Sequence, residues 1–246
     1  MSSTPTSIAV ELIRGLREQN VELRLFGGLA IALLTRYREV FGEERRVRDI
    51  DFVANRNDHR RACEHLLKEG WKPDRSEFHV GISRRTSFLS EEHGVRVEIY
   101  ADPLVFSHRL DFGSRLRVAG FTLSPADLLL TKLQVADLTK PDVLDIVAIL
   151  SSCGFSRGSE AAALAKDIEC KRLEEVAGAD WGLWYTCRQN VEVVLEWMAQ
   201  SAGLQAGSAA KAADELLETL EEAPKSWKWR ARALIGTRLR WYYEVE

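Results

Sequence analysis

Residues 49–53 read Asp-Ile-Asp-Phe-Val, so that acidic and apolar side chains alternate. An alternation with a period of two is typical of a β-strand, in which successive side chains point to opposite faces. Asp49 and Asp51 therefore share one face of the predicted strand, and Ile50 and Phe52 share the other. Two carboxylates on one face suit Mg²⁺, a hard cation that takes oxygen ligands. The other interpretation is an edge strand with a solvated face.

A second strand with an acidic side chain is predicted at residues 95–101, which begin Val-Arg-Val-Glu-Ile-Tyr. Val95, Val97 and Ile99 share its apolar face, and Glu98 lies on the opposite face. A single Glu on a strand usually faces solvent. If both strands lie in one sheet whose apolar faces are covered by helices, the three carboxylates meet on the uncovered face. A divalent cation would then offset their mutual repulsion.

A glycine pair, Gly27-Gly28, lies between a predicted strand at 21–26 and a predicted apolar helix that starts at Leu29. Glycines at such a turn let backbone N–H groups approach a ligand closely, and the helix offers its positive end. Phosphate is the natural ligand of this arrangement. The alternative is a tight turn without any ligand.

The sequence pattern changes near residue 124. Before this point helices alternate with short strands, and after it helix follows helix. Ser124 and Pro125 form a clear helix start, because Ser caps a helix and Pro suits its first position. We therefore predict two domains, residues 1–123 and residues 124–246. The predicted helices are 6–19, 58–70, 125–138, 141–151, 159–166, 180–200, 209–222 and 226–242, and the remaining strands are 78–82, 86–89 and 116–118.

A lysine on the predicted helix 125–138 is unusual in its surroundings. Lys132 shares a stripe with Leu128 and Leu129, where an ammonium group is unexpected. One interpretation is a buried stem with the charged end in water, and the other is a lysine that points at phosphate. Asp145 has apolar neighbours on both sides and could pair with Lys132 or with a substrate.

These motifs resemble the signature of the nucleotidyltransferase-fold superfamily, which includes polymerase-beta-like enzymes and aminoglycoside nucleotidyltransferases. The shared pattern is a Gly-Gly pair, an Asp-x-Asp motif and a third carboxylate on a later strand. The Lys132-Leu133 pair and the Asp142-x-x-Asp145-Ile motif are similar to the abortive-infection toxin branch. The resemblance implies an α+β fold with helices on one face of a nucleotidyltransferase-like mixed β-sheet, followed by a C-terminal helical bundle.

The resemblance also implies an activity, the Mg²⁺- or Mn²⁺-dependent transfer of a nucleoside monophosphate (NMP) from a nucleoside triphosphate (NTP) to a hydroxyl acceptor. The acceptor would be a small molecule, RNA such as tRNA, or a protein. The implied catalytic residues are Asp49, Asp51, Glu98 and Lys132, and the implied metal ligands are Asp49, Asp51 and Glu98. The implied nucleotide-binding residues are Gly27, Gly28, Lys132 and Asp145. Glu98 would complete the metal site or act as general base. The alternative is a catalytically silent protein of the same fold that binds a nucleotide or a partner.

Composition limits the kinds of partner that the protein is expected to bind and the cellular compartment in which it is expected to work. The chain has 246 residues with 34 Lys and Arg against 37 Asp and Glu, a net charge of −3, so charge alone indicates neither a nucleic-acid coat nor a membrane binder. Four widely spaced cysteines and the absence of a secretory signal predict a cytoplasmic protein. A toxin role would bring a possible antitoxin partner.

Two basic segments have open interpretations. Arg84 and Arg85 could contact an acceptor, although a charged turn is the favoured explanation. Residues 225–243 carry six basic residues, interleaved aromatics and no acidic residue. They could bind RNA, but we favour aromatic residues that dock on the helical bundle.

Overall fold

The computed structural model describes residues 4–43, 47, 49–74, 84–117, 120–158, 166–200 and 206–244. The predicted strand at 78–82 lies outside these ranges, as does all but the last residue of the helix predicted at 159–166. The chain divides into two compact units. Unit 1 comprises residues 1–33, 44–104 and 110–123, and unit 2 comprises residues 34–43, 105–109 and 124–246.

Unit 1 is built on a five-stranded mixed sheet. Its strands are β1 (Arg24–Phe26), β2 (Asp49–Ala54), β3 (Lys72–Pro73), β4 (Arg85–Ser90) and β5 (Val95–Ala101), in the spatial order β1-β2-β5-β4-β3. The central pair β2 and β5 is parallel, and the other neighbouring pairs are antiparallel. The bounds of β2 and β5 agree with the predicted strands.

Helices pack on one face of this sheet. Helix α1 (Pro5–Glu18) contacts β2, and helix α4 (Arg56–Lys68) contacts both β2 and β5. Each helix starts at a side-chain cap, because Thr4 accepts a hydrogen bond from the N–H of Ser7 and Asn55 accepts from the N–H groups of Asn57 and Asp58. The side chains on the apolar face of the sheet are fully buried: Ile50, Phe52, Val97 and Ile99. The α+β class with helices on one sheet face is confirmed.

Unit 2 is mainly helical. It contains α3 (Tyr37–Phe41), α5 (Pro125–Leu133), α6 (Lys140–Ser152), α7 (Cys170–Ala179), α8 (Trp181–Gln200), α9 (Ala206–Glu222) and α10 (Trp227–Ile235), together with the two-residue strands β8 (Phe155–Ser156) and β9 (Ile168–Glu169). Helix α9 contacts α6, α7 and α8. The predicted start of α5 is confirmed, because the Ser124 side chain accepts a hydrogen bond from the N–H of Asp127. The described residues also include helix α2 (Gly27–Leu34) and the two-residue strands β6 (Leu104–Val105) and β7 (Arg109–Leu110).

Three local features of the structure differ from the sequence prediction. Residues 113–117 form a 3₁₀ turn where the sequence predicts the start of a strand at 116–118. The helix at 170–179 was not predicted as a separate element. The last helix ends at Ile235, well before the predicted residue 242, because Gly236 has a φ of 59°, which a helix cannot continue.

The C-terminal aromatic residues divide into docked and exposed side chains. The Trp229 ring lies 5.1 Å from that of Trp184, and the Trp241 indole N–H donates a 3.0 Å hydrogen bond to the Thr186 hydroxyl. By contrast, Trp227 is 75% exposed. Docking therefore accounts for Trp229 and Trp241 but not for every aromatic residue of the segment.

The cysteine side chains lie inside the protein. All four cysteines are buried and free, and burial raises the pKa of both Cys63 and Cys153 to about 11. These two thiols are therefore protonated near neutral pH.

No helix within the described ranges is long and apolar enough to cross a bilayer.

A buried histidine in unit 2 makes stability depend on pH. His108 is 3% exposed, and its Nε2 lies 2.9 Å from the Thr186 hydroxyl. Burial lowers its pKa from 6.5 to about 4. The unfolded chain therefore binds the proton first, and stability falls as the pH drops from 6.5 through 4.

We expect the wild-type protein to lose about 3 kcal/mol of unfolding free energy across this interval because of His108. The His108→Gln variant should lack that part of the pH dependence, measured by urea unfolding at pH 7.0, 5.5 and 4.5. Equal pH slopes in the two proteins would contradict the assignment.

Candidate nucleotide-binding site

The glycine pair marks the point where β1 ends and α2 begins. Gly27 follows the last residue of β1 and has a φ of 71°, a conformation that L-residues other than glycine seldom adopt. A Cβ atom built at this position would collide with Oδ2 of Asp51. Position 27 therefore has two independent reasons to be glycine, its backbone conformation and the carboxylate beside it.

Strand register brings two of the three predicted carboxylates together. The parallel pairing of β2 with β5 sets Asp51 opposite Glu98, and the antiparallel pairing of β1 with β2 sets Phe26 opposite Asp51. Neighbouring strands are about 4.8 Å apart, so Asp51 and Glu98 lie side by side on the face opposite to α1 and α4. Asp49 shares this face two residues earlier, is exposed, and lies opposite Arg96.

The Glu98 carboxylate is held by two hydroxyl groups. Ser87 donates a 3.1 Å hydrogen bond to Oε1, and Tyr100 donates a 2.7 Å hydrogen bond to Oε2. Burial, together with the negative charges of Glu98 and Asp51, raises the pKa of Tyr100 far above its usual value. The phenol therefore remains protonated and acts as a donor. Its ring packs edge-on against Phe26 at 5.2 Å.

Two arginine side chains also approach Glu98. Arg85 Nε lies 3.7 Å from Oε2, and one terminal guanidinium nitrogen of Arg96 lies 3.9 Å from Oε1. The Arg85 and Arg96 side chains are 38% and 41% exposed, whereas that of Glu98 is 11% exposed. Arg85 is the first residue of β4, so the interpretation of Arg84-Arg85 as a charged turn was wrong for Arg85.

Sequence reasoning missed three residues around Glu98, namely Ser87, Tyr100 and Arg96, and it named Arg85 only as a residue that could contact an acceptor. The positions of Tyr100 and Arg96 beside Glu98 could have been predicted from the sequence, because the three residues alternate along β5 and so share one face. Ser87 and Arg85 required the register of the β4–β5 hairpin, which pairs Ser90 with Val95. The turn at 91–94, which ends in a glycine, was the available signal.

The donor set on this face suits a divalent cation at two carboxylates. Asp49 and Asp51 offer the hard oxygen ligands that Mg²⁺ and Mn²⁺ accept. In the part of the chain that the structure describes, no three His, Cys, Asp or Glu side chains form a metal-binding group. A cation at Asp49 and Asp51 would therefore complete its coordination with water or substrate oxygens, as Mg²⁺ commonly does.

The remaining predicted residues form a second cluster, which lies in unit 2. The Lys132 ammonium donates to Asp142 at 2.8 Å and lies 3.0 Å from Oδ2 of Asp145. Asp145 is fully buried, and Asp142 also accepts hydrogen bonds from Thr139 at the start of α6. Burial alone would lower the pKa of Lys132, but the charges of Asp145 and Asp142 outweigh it and raise that pKa. Lys132 thus joins α5 to α6 through ion pairs.

Comparison with known families agrees with the geometry of unit 1. Residues 4–115 match the family model described as "Uncharacterised nucleotidyltransferase". This segment is similar to the nucleotidyltransferase superfamily. The matched residues include the glycine pair and all three carboxylates of unit 1, and they end before Lys132. No curated protein sequence matches the chain. Membership of the toxin branch, together with the phosphate-binding roles of Lys132 and Asp145, stays a prediction.

The contact between Gly27 and Asp51 predicts a specific cost for adding one methyl group. Gly27→Ala should lower the unfolding free energy by about 2 kcal/mol or more, since a positive φ and a steric collision are combined. The matched control is Gly94→Ala, because Gly94 has a φ of 63° and a Cβ there would meet no atom within 4 Å. Urea unfolding compares the two. Equal losses would show that the Asp51 carboxylate does not limit position 27.

The Lys132 cluster predicts strong destabilisation when one charge is removed. Lys132→Met should cost about 3–5 kcal/mol of unfolding free energy, because the fully buried Asp145 and the mostly covered Asp142 lose their counter-charge. The double variant Lys132→Met/Asp145→Asn should recover part of that loss, since fewer unpaired charges remain. Thermal unfolding of the single and double variants measures this coupling. An unchanged melting temperature in Lys132→Met would contradict a structural role.

Proposed function

We propose that the protein is a divalent-metal-dependent nucleotidyltransferase that transfers NMP from an NTP to a hydroxyl group. One observation carries the proposal. The Asp51 carboxylate lies against the backbone of Gly27, where a phosphate-binding turn and a metal-binding residue have to meet. The superfamily match over residues 4–115 supports the same chemistry.

Each residue of the site has a part in this proposal. Asp49 and Asp51 would hold Mg²⁺ or Mn²⁺, and the cation would supply positive charge that stabilises the triphosphate and the leaving oxygen. Gly27 and Gly28 carry no side chains, so phosphate oxygens would approach the N–H groups at the start of α2. The acceptor oxygen then bonds to the α-phosphorus, the bond to pyrophosphate breaks, and the hydroxyl proton is taken up by a carboxylate.

Three classes of acceptor suit this chemistry: a small molecule, RNA such as tRNA, and a protein. A toxin that is neutralised by an antitoxin belongs to the RNA and protein cases. The acidic net charge favours a cationic small molecule, and the basic C-terminal segment favours RNA. The assay must therefore offer all three classes of acceptor.

The test incubates the protein with each of the four α-³²P-labelled NTPs, Mg²⁺ or Mn²⁺, and separate small-molecule, RNA and protein fractions of a bacterial extract. We expect label transfer to one fraction that EDTA abolishes. Asp49→Asn and Asp51→Asn should each lower transfer by on the order of 100-fold or more, because each removes a ligand charge. The matched control is Glu92→Gln, which removes one exposed acidic charge in the β4–β5 turn.

The outcomes separate the two candidate functions. Transfer that survives in Asp51→Asn would contradict the proposed metal site. If the protein binds NTP in a metal-dependent way but transfers no label to any fraction or to water, it is the catalytically silent binding protein instead.

A further inference from the structure

We propose that the outer face of helix α10 is a docking surface for a second protein, one that has an apolar groove bordered by acidic side chains. This face, here termed the α10 surface, consists of Trp227, Lys228, Arg230, Leu234 and Ile235. Docking at this surface is independent of nucleotidyl transfer. The exposed basic residues of the C-terminal segment thus bind a protein, whereas their charge alone favours RNA.

Exposed apolar side chains are concentrated in this part of the chain. Among the residues that the structure describes, the four most exposed large hydrophobic side chains are Leu234 (85%), Trp227 (75%), Leu239 (61%) and Tyr243 (59%). All nine residues of α10 are at least partly exposed. Apolar side chains that are gathered on a protein surface in this way mark a site of interaction.

The helical spacing of α10 arranges its exposed apolar side chains as a stripe. Four of them recur at i, i+4, i+7 and i+8 and so cover about 100° of the helix circumference: Trp227, Ala231, Leu234 and Ile235. The same spacing places Lys228 along one edge of the stripe and Arg230 along the other. The α10 surface is therefore apolar in the middle and basic at both edges.

The opposite face of α10 is fixed to unit 2. The Trp229 ring lies 5.1 Å from that of Trp184, and the Arg232 guanidinium lies 4.9 Å from the centre of the Trp181 ring. Arg232 also donates a 2.6 Å hydrogen bond to the carbonyl oxygen of Gly236, which holds the following turn against the helix. The stripe is thus presented by a helix that is already formed, and this lowers the entropy cost of binding.

Charge complementarity identifies the chemistry of the partner. Lys228, Arg230 and Arg238 are exposed and form no ion pair with any other described residue. By contrast, Arg240 pairs with Glu244 at 2.6 Å. Unpaired cations on both sides of an apolar stripe are complementary to a groove with an apolar floor and carboxylates along its edges. Apolar anchors at i, i+4 and i+7 are also the usual spacing of a helix that binds in a groove.

Two other anionic partners fit the α10 surface less well. Residues 225–243 carry six basic residues and no acidic one, whereas the whole chain has a net charge of −3, so the remainder of the chain is strongly acidic. Glu221 and Glu222, both exposed, lie just before this segment. An anionic bilayer or a long RNA strand extends beyond a nine-residue helix and would meet such carboxylates. A groove needs to contact only α10. Leu234 and Ile235 also offer RNA bases no ring for stacking.

The first experiment identifies what binds the α10 surface. The photoreactive residue p-benzoylphenylalanine replaces Leu234 in the full chain, and in the matched control it replaces Leu67, an exposed leucine of α4. Both proteins are irradiated in an extract of the organism that encodes the chain, and the adducts are identified by mass spectrometry. We expect one protein to be crosslinked at position 234 and not at position 67.

The second experiment tests the chemistry of docking with that protein in purified form. Its dissociation constant is measured by isothermal titration calorimetry for wild type, Leu234→Ser, Lys228→Glu/Arg230→Glu and the control Leu67→Ser. We expect each α10 variant to weaken binding about tenfold or more, and the control to stay within about twofold. Wild-type affinity should fall as the salt concentration rises. The melting temperatures should stay near wild type, since the substituted side chains are exposed.

The remaining outcomes overturn the inference. They include the absence of any adduct at position 234 above the control, and an adduct to a second copy of the chain. A crosslinked protein whose affinity is unchanged in Lys228→Glu/Arg230→Glu would contradict the acidic edges of the groove. RNA from the same extract and vesicles of phosphatidylglycerol and phosphatidylcholine are titrated in parallel. Binding to either that is lost in Leu234→Ser would assign the α10 surface to RNA or to a membrane instead.

Discussion

The parallel pairing of β2 with β5 is the constraint on which the site depends. It sets Asp51 directly beside Glu98, and the same register sends Ile50, Phe52, Val97 and Ile99 to the face that the helices cover. A slip of one residue would move every side chain of one strand to the wrong face. Burial of the apolar side chains thus fixes the positions of the carboxylates. Direct attraction between the carboxylates could not do so, because like charges repel each other.

Charge compensation differs between the two clusters of ionisable residues. In unit 1, Glu98 accepts hydrogen bonds from two hydroxyl groups and lies near two partly exposed guanidinium groups, while Asp51 lies against a glycine turn. In unit 2, the Lys132 side chain is 15% exposed and pairs with the carboxylates of Asp142 and Asp145. The first cluster combines carboxylates with hydroxyl and guanidinium groups on one face of the sheet, and the second joins two helices. Carboxylates therefore have different neighbours in the two clusters.

The sequence predicted the strands and helices whose apolar residues recur periodically, but it did not predict the side-chain partners that tertiary contacts determine. Alternation along β2 and β5 was enough to assign their faces, and the cap at Ser124 was enough to start α5. The partners of Lys132 on α6 were only half anticipated, because helical spacing does not tell whether an ammonium group meets solvent, phosphate or two aspartates. The last helix ends early at Gly236, which has a positive φ. Glycine adopts positive and negative φ about equally well, so the sequence alone did not reveal this conformation. Ser87 depended on hairpin register, which a single strand cannot reveal.

The central claim is that Asp49 and Asp51 together hold the metal that binds the triphosphate. The most direct measurement is the anomalous difference map of a crystal grown with Mn²⁺ and a non-hydrolysable NTP analogue. The account predicts a Mn²⁺ peak about 2.1 Å from oxygens of both aspartates, with the triphosphate running toward Gly27. A peak that touches neither carboxylate, or a nucleotide bound away from the glycine turn, would contradict it.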